Sequence, residues 1–383
     1  MKEVVIVQYR LTHYRISFFE SLRCRLESAD VRLRLLYSDP DTGKHTGGLW
    51  HQLFDDLPWG EKIKTTQLPG GFRFQPILRN VPGADLLIVN HATKYLVNHV
   101  YFLLPLSNRP KFAYWGHGWD HQTEHLDSGS ERLRTWVGKR ADWYFAYTWK
   151  VREKLIELGY DGGRITDVQN AVAPPTAAAS PNEIELLRRE LALHPGSVVA
   201  LYCGKMYPKK QLGLLIDAAR RVHERIPSFV LILAGAGEHE HVAAEAAREH
   251  AFIHFVGPVL GSRKAAFFAL SRICVMPGVV GLGVVDAFHY NVPPVATNFP
   301  YHSPEFVYLC HEENGIVAEN SPESFAEAII RLSRDDILHK RLVDGTKKAS
   351  ASLTADEMAR RFTEGILAAL AGEDTARATV LPD

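Results

Sequence analysis

Residues 277–297 read Pro277-Gly-Val-Val-Gly-Leu-Gly-Val-Val-Asp286-Ala-Phe-His-Tyr-Asn-Val-Pro-Pro-Val-Ala-Thr297 and carry the clearest structural signal in the chain. The residues before them, Arg272–Pro277, are typical of a buried strand that ends at a proline. Gly281 and Gly283 favour a tight turn, after which a short helix and another short strand are predicted. A strand, a glycine turn and a helix start present backbone N–H groups and a positive dipole end, which suits a phosphate. Plain strand–helix packing has the same pattern, so the stretch indicates a phosphate site only if a matching element occurs elsewhere in the chain.

That matching element is the stretch Cys203-Gly-Lys-Met-Tyr-Pro-Lys-Lys-Gln-Leu-Gly-Leu-Leu-Ile-Asp217. It follows a predicted buried strand, so that Lys205 comes directly after the strand and Lys210 stands at the head of the next helix. Two cations at the carboxyl edge of a sheet suit a diphosphate, whereas either lysine alone would be typical of a solvated loop. Asp286 lies one turn into its helix, where a carboxylate can accept hydrogen bonds from ribose hydroxyls.

Composition limits the classes of protein to which the chain can belong. With 383 residues, 46% of them hydrophobic and 23% charged, the chain is long enough for two domains with full cores. Lys+Arg and Asp+Glu both number 44, and this balance argues against a dedicated nucleic-acid binder. The four cysteines are scattered and no His, Cys, Asp and Glu set has metal spacing, so we expect a reduced, cytoplasmic setting without metal or cofactor. We also expect no signal peptide and no membrane-spanning segment.

Predicted strands alternate with predicted helices in both halves of the chain. This alternation predicts an α/β protein with two Rossmann-like, doubly wound parallel-sheet domains that face one another across a cleft. The proline-rich run that begins at Pro174 predicts a linker between them. The expected segments are an N-terminal domain (1–173), a linker (174–195), a C-terminal domain (196–354), a C-terminal helix that returns to the N-terminal domain (355–372) and a tail (373–383).

Taken together, the motifs resemble those of the retaining family-4 glycosyltransferases of the GT-B fold. Lys205 and Lys210 fall on the arginine and lysine of that family's first C-domain motif. Gly235-Ala-Gly-Glu238 looks like its glycine-rich turn, and Phe255-Val-Gly-Pro258 like its strand beside the nucleotide base. The resemblance covers residues 1 to about 370 and is strongest over 200–318.

The chain departs from the family pattern at the signature of two glutamates separated by seven residues. The second glutamate corresponds to Asp286, a shorter carboxylate, and the first corresponds to Gly278, which has no side chain. In the family the first glutamate contacts the donor sugar, so that contact is not carried over. The N-terminal loop also lacks the frequent glycine pair and has His13, Tyr14 and Arg15 instead.

The resemblance implies retaining transfer of a sugar from a nucleoside diphosphate sugar to a hydroxyl of a glycan or lipid-linked glycan, typical of surface polysaccharide biosynthesis. It implies catalytic roles for Lys205, Lys210 and His117, which stands between two glycines at a strand end. Acceptor contacts are expected from His13, Tyr14, Arg15 and His121. Donor-binding positions are expected to be Gly204, Gly237, Glu238, Gly257, Pro258, Gly281, Leu282, Gly283 and Asp286.

The identity of the nucleotide and of the sugar stays open at this stage. Aromatic and basic residues such as Phe72, Arg73 and Phe74 suggest peripheral contact with the inner face of a membrane, although ordinary packing explains them equally well. Two other classes of function remain. One is a nucleotide-sugar epimerase or hydrolase on the same fold, and the other is a non-catalytic partner subunit.

Overall fold

The computed structural model describes residues 1–38, 56–77, 81–92, 94–96, 98, 101, 109–119 and 129–372. The chain divides into two compact units, Met1–Ala173 with Ala355–Asp383 and Pro174–Thr354. His121 and the tail 373–383 lie outside the described residues.

The N-terminal unit is built on a parallel sheet. Its strands are β1 (Lys2–Arg10), β2 (Val31–Ser38), β3 (Glu61–Lys62), β4 (Thr66–Gln67), β5 (Arg73–Phe74), β6 (Leu86–Asn90), β7 (Lys111–Gly116), β8 (Trp143–Ala146) and β9 (Ile165–Asp167). Seven of them form a sheet in the order β3-β2-β1-β6-β7-β8-β9, and β4 pairs with β5 as an antiparallel hairpin. The helices are α1 (Ile16–Ser28), α2 (Gly129–Gly138) and α3 (Trp149–Glu157). The apolar run Val4–Val7 is at most 2% exposed, as expected for a parallel strand covered on both faces.

The C-terminal unit repeats this architecture. Its strands are β10 (Val198–Cys203), β11 (Phe229–Ala234), β12 (Ile253–Gly257), β13 (Ile273–Met276), β14 (Pro294–Thr297) and β15 (Ile316–Ala318). All neighbours in the order β12-β11-β10-β13-β14-β15 are parallel. Its helices are α4 (Pro181–Glu190), α5 (Leu212–Arg225), α6 (Glu240–Glu249), α7 (Gly261–Leu270), α8 (Gly283–His289), α9 (Pro322–Arg334) and α10 (Asp336–Ser352). The prediction of two Rossmann-like parallel-sheet domains is confirmed.

The last helix, α11 (Ala355–Ala371), belongs to the N-terminal unit. Phe362 on α11 stacks on Phe145 of β8 with a centroid separation of 4.2 Å, and its ring lies 5.0 Å from that of Trp115. A side chain at Gly365 would overlap Thr166, so the glycine lets the helix approach the sheet closely. In the described part of the chain, no helix has both the length and the apolar character needed to cross a bilayer.

The segment expected to be a separate linker is part of the C-terminal unit. Residues from Pro174 onward group with that unit, and α4 occupies the middle of the segment. Ser180 and Glu183 form a reciprocal capping box at the start of α4, and Ser262 on α7 donates to the Glu183 carboxylate at 2.7 Å. The proline-rich run therefore ends at a helix start whose capping signature was present in the sequence.

Candidate active site

The candidate site lies at the carboxyl edge of the C-terminal sheet. Strand β10 is flanked by β11 on one side and β13 on the other. The chain runs outward from β10 through β11 to β12, and then returns to the other side of β10 with β13. This reversal makes the β10–β13 boundary a topological switch point, the place where parallel α/β sheets bind ligands. The loops that leave β10, β11 and β13 meet there.

Two glycines allow the loops after β10 and β11 to touch. Gly235 and Gly237 have φ angles of 148° and 152°. A Cβ on either would overlap the carbonyl oxygen of Gly204 or Met206 respectively, so only glycine fits both positions. The backbone N–H of Met206 donates to the carbonyl of Ala236 at 2.9 Å. Gly237, a predicted donor-binding residue, is thus required first for the packing of these loops.

Gly278 also lies too close to a neighbouring backbone segment to carry a side chain. A Cβ on Gly278 would overlap the carbonyl oxygen of Lys209 and lie 2.7 Å from the carbonyl carbon of Lys210. The N–H of Val279 donates to the Lys209 carbonyl at 2.9 Å, and Lys210 Nζ donates to the Val279 carbonyl. The turn that carries Lys210 therefore rests directly on the stretch after β13. The glutamate missing at Gly278 would have no room.

The two predicted lysines have different environments. Lys205 is exposed, whereas Lys210 is half-buried. Burial, and next the charge of Lys205, lower the pKa of Lys210 to about 8, while Glu305 opposes the shift. The Lys210 ammonium is thus a cation held partly out of water. A negatively charged ligand that replaced the missing solvation would bind it strongly.

Asp286 is held by a partner that the sequence motifs do not include. Lys264 Nζ on α7 lies 2.8 Å from Asp286 Oδ2, and the two side chains are 20% and 32% exposed. Burial alone would lower the pKa of Lys264, but the Asp286 carboxylate raises it above its ordinary value. The carboxylate stays partly open to solvent. A Cβ on Gly283, at the start of the same helix, would lie 3.9 Å from the Cys203 carbonyl oxygen at the end of β10.

A histidine braces the far side of the loop after β13. The N–H of Val280 donates to His302 Nδ1 at 3.0 Å, which makes Nε2 the protonated nitrogen that donates to the Thr297 carbonyl at 2.9 Å. The N–H of Ser303 donates to the Val280 carbonyl at 2.9 Å. Burial lowers the pKa of His302 to about 4, so the ring is neutral. The loop is therefore fixed from both sides, by Lys210 and by the His302 segment.

The other predicted donor positions lie at the same edge. Gly257 ends β12 with a φ of 68°, and its carbonyl accepts from Gly235 N at 2.8 Å. Glu238 and Pro258 are exposed. The structure thus brings together on one sheet edge Gly204, Lys205, Lys210, Gly237, Glu238, Gly257, Pro258, Gly281, Leu282, Gly283 and Asp286.

The predicted residues of the N-terminal unit lie at the carboxyl edge of its own sheet. His117 follows β7, is exposed, and has its ring 4.2 Å from the ring of Tyr147. The next residue, Gly118, donates its N–H to the Tyr144 hydroxyl at 3.0 Å, and that hydroxyl lies 2.9 Å from His91 Nδ1. The loop that presents His117 is therefore anchored on a buried polar network.

Of the four residues predicted to contact the acceptor, the three that the structure describes are not equivalent. Tyr14 is 36% exposed and its ring lies 5.6 Å from that of His13 in an edge-on arrangement. Arg15 is only 8% exposed, and its guanidinium donates to Asn170 Oδ1 at 2.5 Å and to the Ala171 carbonyl at 3.3 Å. Arg15 thus ties the loop after β1 to the segment after β9, and its donors already serve the interior of the unit.

Comparison with known proteins finds a family-model match within the C-terminal unit. Residues 197–335 match the family model described as glycosyl transferases group 1. Over 245 residues the chain is 25% identical to a phosphatidyl-myo-inositol mannosyltransferase of Mycobacterium leprae, a match that spans 60% of this chain and 61% of the length of that relative.

Solved structures share the fold. Anabaena Alr3699/HepE in complex with UDP superposes with a TM-score of 0.71 at 16% identity, over 96% of this chain and 100% of that one. A Listeria monocytogenes protein described as a UDP-N-acetylglucosamine 2-epimerase superposes with a TM-score of 0.65 at 15% identity, over 98% of each chain.

The two parallel-sheet units and the site at the switch point of the second define the GT-B class of fold. Within that class, the segment 197–335 is similar to the glycosyl transferases group 1 family, whose model it matches. The resemblance inferred from the motifs is thereby confirmed.

Three residues of this site are absent from the sequence prediction, namely Lys264, His302 and Glu305. Lys264 and His302 act on partners 22 residues away in each case, Asp286 and Val280. Neither stands in a glycine-rich turn or at a strand end, so no local pattern marks it. Only the packing of α7 and of the segment after β14 against the loop brings them to the site.

Proposed function

We propose that this protein is a retaining glycosyltransferase that moves a sugar from a nucleoside diphosphate sugar to a hydroxyl of a glycan or lipid-linked glycan. We place it at the cytoplasmic face of a membrane, in surface polysaccharide or glycoconjugate biosynthesis. One observation carries the proposal. Lys205, the half-buried Lys210 and the Lys264-held Asp286 converge at the switch point of the C-terminal sheet. A diphosphate with a ribose is the ligand whose charge and hydroxyls match those groups.

The proposed chemistry needs no protein nucleophile. The bond between the anomeric carbon and the diphosphate oxygen breaks, and the acceptor oxygen forms its new bond on the same face of the sugar. Negative charge grows on the leaving diphosphate, where Lys205, Lys210 and the N–H groups of the 281–283 turn would stabilise it electrostatically. His117 is the residue that we propose to contact the transferred sugar. The acceptor proton leaves with the diphosphate, so atoms and charge balance.

The proposed acceptor side includes a membrane contact through the β4–β5 hairpin. Leu68, Phe72 and Phe74 are 38%, 43% and 43% exposed. Between them Arg73 lies over the Tyr9 ring at 4.0 Å, which anchors the hairpin next to the carboxyl end of β1. Residues 62–84 contain no aspartate or glutamate. Exposed aromatics on a segment free of carboxylates suit an anionic lipid surface.

Vesicle binding tests this contact. Replacing Phe72 and Phe74 together by serine is expected to lower partitioning onto phosphatidylglycerol vesicles by about tenfold or more, because the variant lacks the two rings that the lipid would bury. The matched control is Ile337→Ser, which removes an 85% exposed apolar side chain from the other unit. Equal loss in both variants, or binding to phosphatidylcholine vesicles as strong as to the anionic ones, would rule out a specific hairpin contact.

Thermal stabilisation by nucleotides tests the proposed donor site. We expect one of UDP, GDP, ADP, dTDP and CMP to raise the melting temperature, because a ligand that binds only the folded state stabilises it by mass action. If none does, the non-catalytic subunit becomes the better interpretation.

A second candidate function, epimerisation of a nucleotide sugar, is favoured by the likeness to the Listeria protein. The two enzymes differ in what they do without an acceptor. An epimerase would convert UDP-N-acetylglucosamine alone into its epimer, which NMR detects directly. The proposed transferase would leave the sugar unchanged until a hydroxyl acceptor is added, and the product's anomeric coupling would report retention.

A further inference from the structure

Glu305 is a buried carboxylate that has no part in the motifs described above. It lies in the short 3-10 helix Pro304–Tyr308 and is only 3% exposed. A carboxylate removed from water destabilises the fold unless cations or hydrogen-bond donors compensate it. The role of Glu305 therefore depends on the groups around it.

The carboxylate lies against the loop after β13. A Cβ placed on Gly281 would be 3.9 Å from Glu305 Oε2 and 3.5 Å from Ser303 Oγ. Ser303 is itself fixed on the loop, because its N–H donates to the Val280 carbonyl. Glu305 therefore occupies the space beside Gly281, and its position is set by the same segment that braces Val280.

Lys210 meets the same loop through Val279, where its Nζ donates to the carbonyl oxygen. The charged and titratable groups that act on this ammonium are Lys205, Glu305 and His302, and the Tyr207 ring lies 5.5 Å from Nζ. His302 is neutral because burial lowers its pKa to about 4, and Lys205 repels the ammonium. Among these groups Glu305 is the one whose charge favours protonated Lys210.

We propose that Glu305 is a positioning residue of the donor site, whose carboxylate keeps the Lys210 ammonium charged and in place on the 279–281 backbone, ready for a diphosphate. This inference rests on the proposed function. It also gives the site a carboxylate from a different segment, because the backbone of Lys209 and Lys210 leaves no room for one at Gly278. The proposed role is indirect, since Glu305 acts on the ligand through Lys210.

The proposed effect of Glu305 follows from the charges that act on Lys210. Burial and the neighbouring Lys205 have already lowered the Lys210 pKa to about 8. Removing the charge of Glu305 removes an interaction that raises this pKa, so it would fall further toward neutrality. The variant would then lose the cation near neutral pH, while at acidic pH Lys210 would be protonated in both proteins.

The test compares UDP binding by wild type and Glu305→Gln across pH, using calorimetry. If the Lys210 pKa falls by about one unit, the ratio of variant to wild-type Kd should be about 1 at pH 6 and approach about tenfold at pH 9. UDP itself titrates identically in both measurements, so its protonation does not affect this ratio. A surface carboxylate of the same unit, Glu319→Gln, is the matched control and should follow wild type throughout.

Three outcomes separate the possibilities. A loss of affinity that is the same at every pH would mean that Glu305 is merely structural, and no loss would also overturn the proposal. Failure of wild type to bind UDP, GDP, ADP or dTDP would instead count against the proposed function. If Glu305→Gln does not fold, Glu305→Asp keeps the charge and should retain the wild-type pH profile, and a shifted profile in that variant overturns the proposal. In a Lys210→Met background, Glu305→Gln should cause no further loss of binding.

Discussion

Lys210→Met is expected to lower kcat/KM for sugar transfer by about two to three orders of magnitude, the usual effect of removing one preorganised donor from a developing oxyanion. Methionine keeps most of the side-chain volume but removes the ammonium. The half-buried ammonium interacts with few water molecules in the free protein, so a diphosphate gains more from it than from an exposed lysine. Steady-state kinetics with the donor that stabilises the wild-type protein would measure the loss.

The matched control is Lys209→Met, which changes the neighbouring residue of the same turn. The Lys209 ammonium lies 5.2 Å from the centre of the Tyr301 ring, and it is the Lys209 backbone that supports the loop after β13. We expect this variant to keep activity within about threefold of wild type, as for a surface charge. Substantial turnover by well-folded Lys210→Met would remove Lys210 from the proposed mechanism.

Gly278→Glu, the substitution that restores the family glutamate, is expected to inactivate the protein rather than improve it. A Cβ at this position would overlap the Lys209 carbonyl oxygen and lie 2.8 Å from Lys210 Cα. Backbone atoms cannot move aside as the end of a flexible side chain can, so the turn carrying Lys210 would be displaced. Even Gly278→Ala should lower the free energy of unfolding by about 1–3 kcal/mol, the usual effect of overpacking a tight interior contact.

The control for this prediction is Gly213→Ala on α5, where a Cβ would meet nothing within 4 Å. Alanine favours a helix over glycine, so this variant should be neutral or slightly more stable. Denaturant unfolding and nucleotide-induced stabilisation should be measured on both proteins. If Gly278→Glu proves stable and binds nucleotide as wild type does, the close approach of the two loops in the structure is not needed for function.

Much of the fold was predictable from short-range patterns. Continuous apolar runs such as Val4–Val7 and Phe229–Ala234 mark strands covered on both faces, and they alternate with segments of helical periodicity. Residues Pro181–Glu190, which were predicted as part of a linker, form helix α4, and the capping box at Ser180 is the local signal for its start. Even there the local signal was present in the sequence.

The placement of a candidate site residue was predictable where it depends on the strand end next to that residue. The placement of Lys205, Lys210 and Asp286 at the sheet edge follows directly from their positions after β10 and β13. The role of Gly278 was not predictable, because a missing side chain in a motif reads as a lost contact. The structure gives the physical reason for the glycine, which is the Lys209–Lys210 backbone lying against it.

The sequence by itself determined the two parallel-sheet domains, the family resemblance and the lysine pair, because strand burial, helix periodicity and glycine turns are encoded within a few neighbouring residues. Only the tertiary structure decided which side chains hold that pair in place. Glu305 and His302 reach the site from the segment after β14 and Lys264 from α7, and Arg15 turns inward to Asn170 across 155 residues. Such contacts depend on how the elements pack, and no local sequence pattern specifies which distant residues will meet.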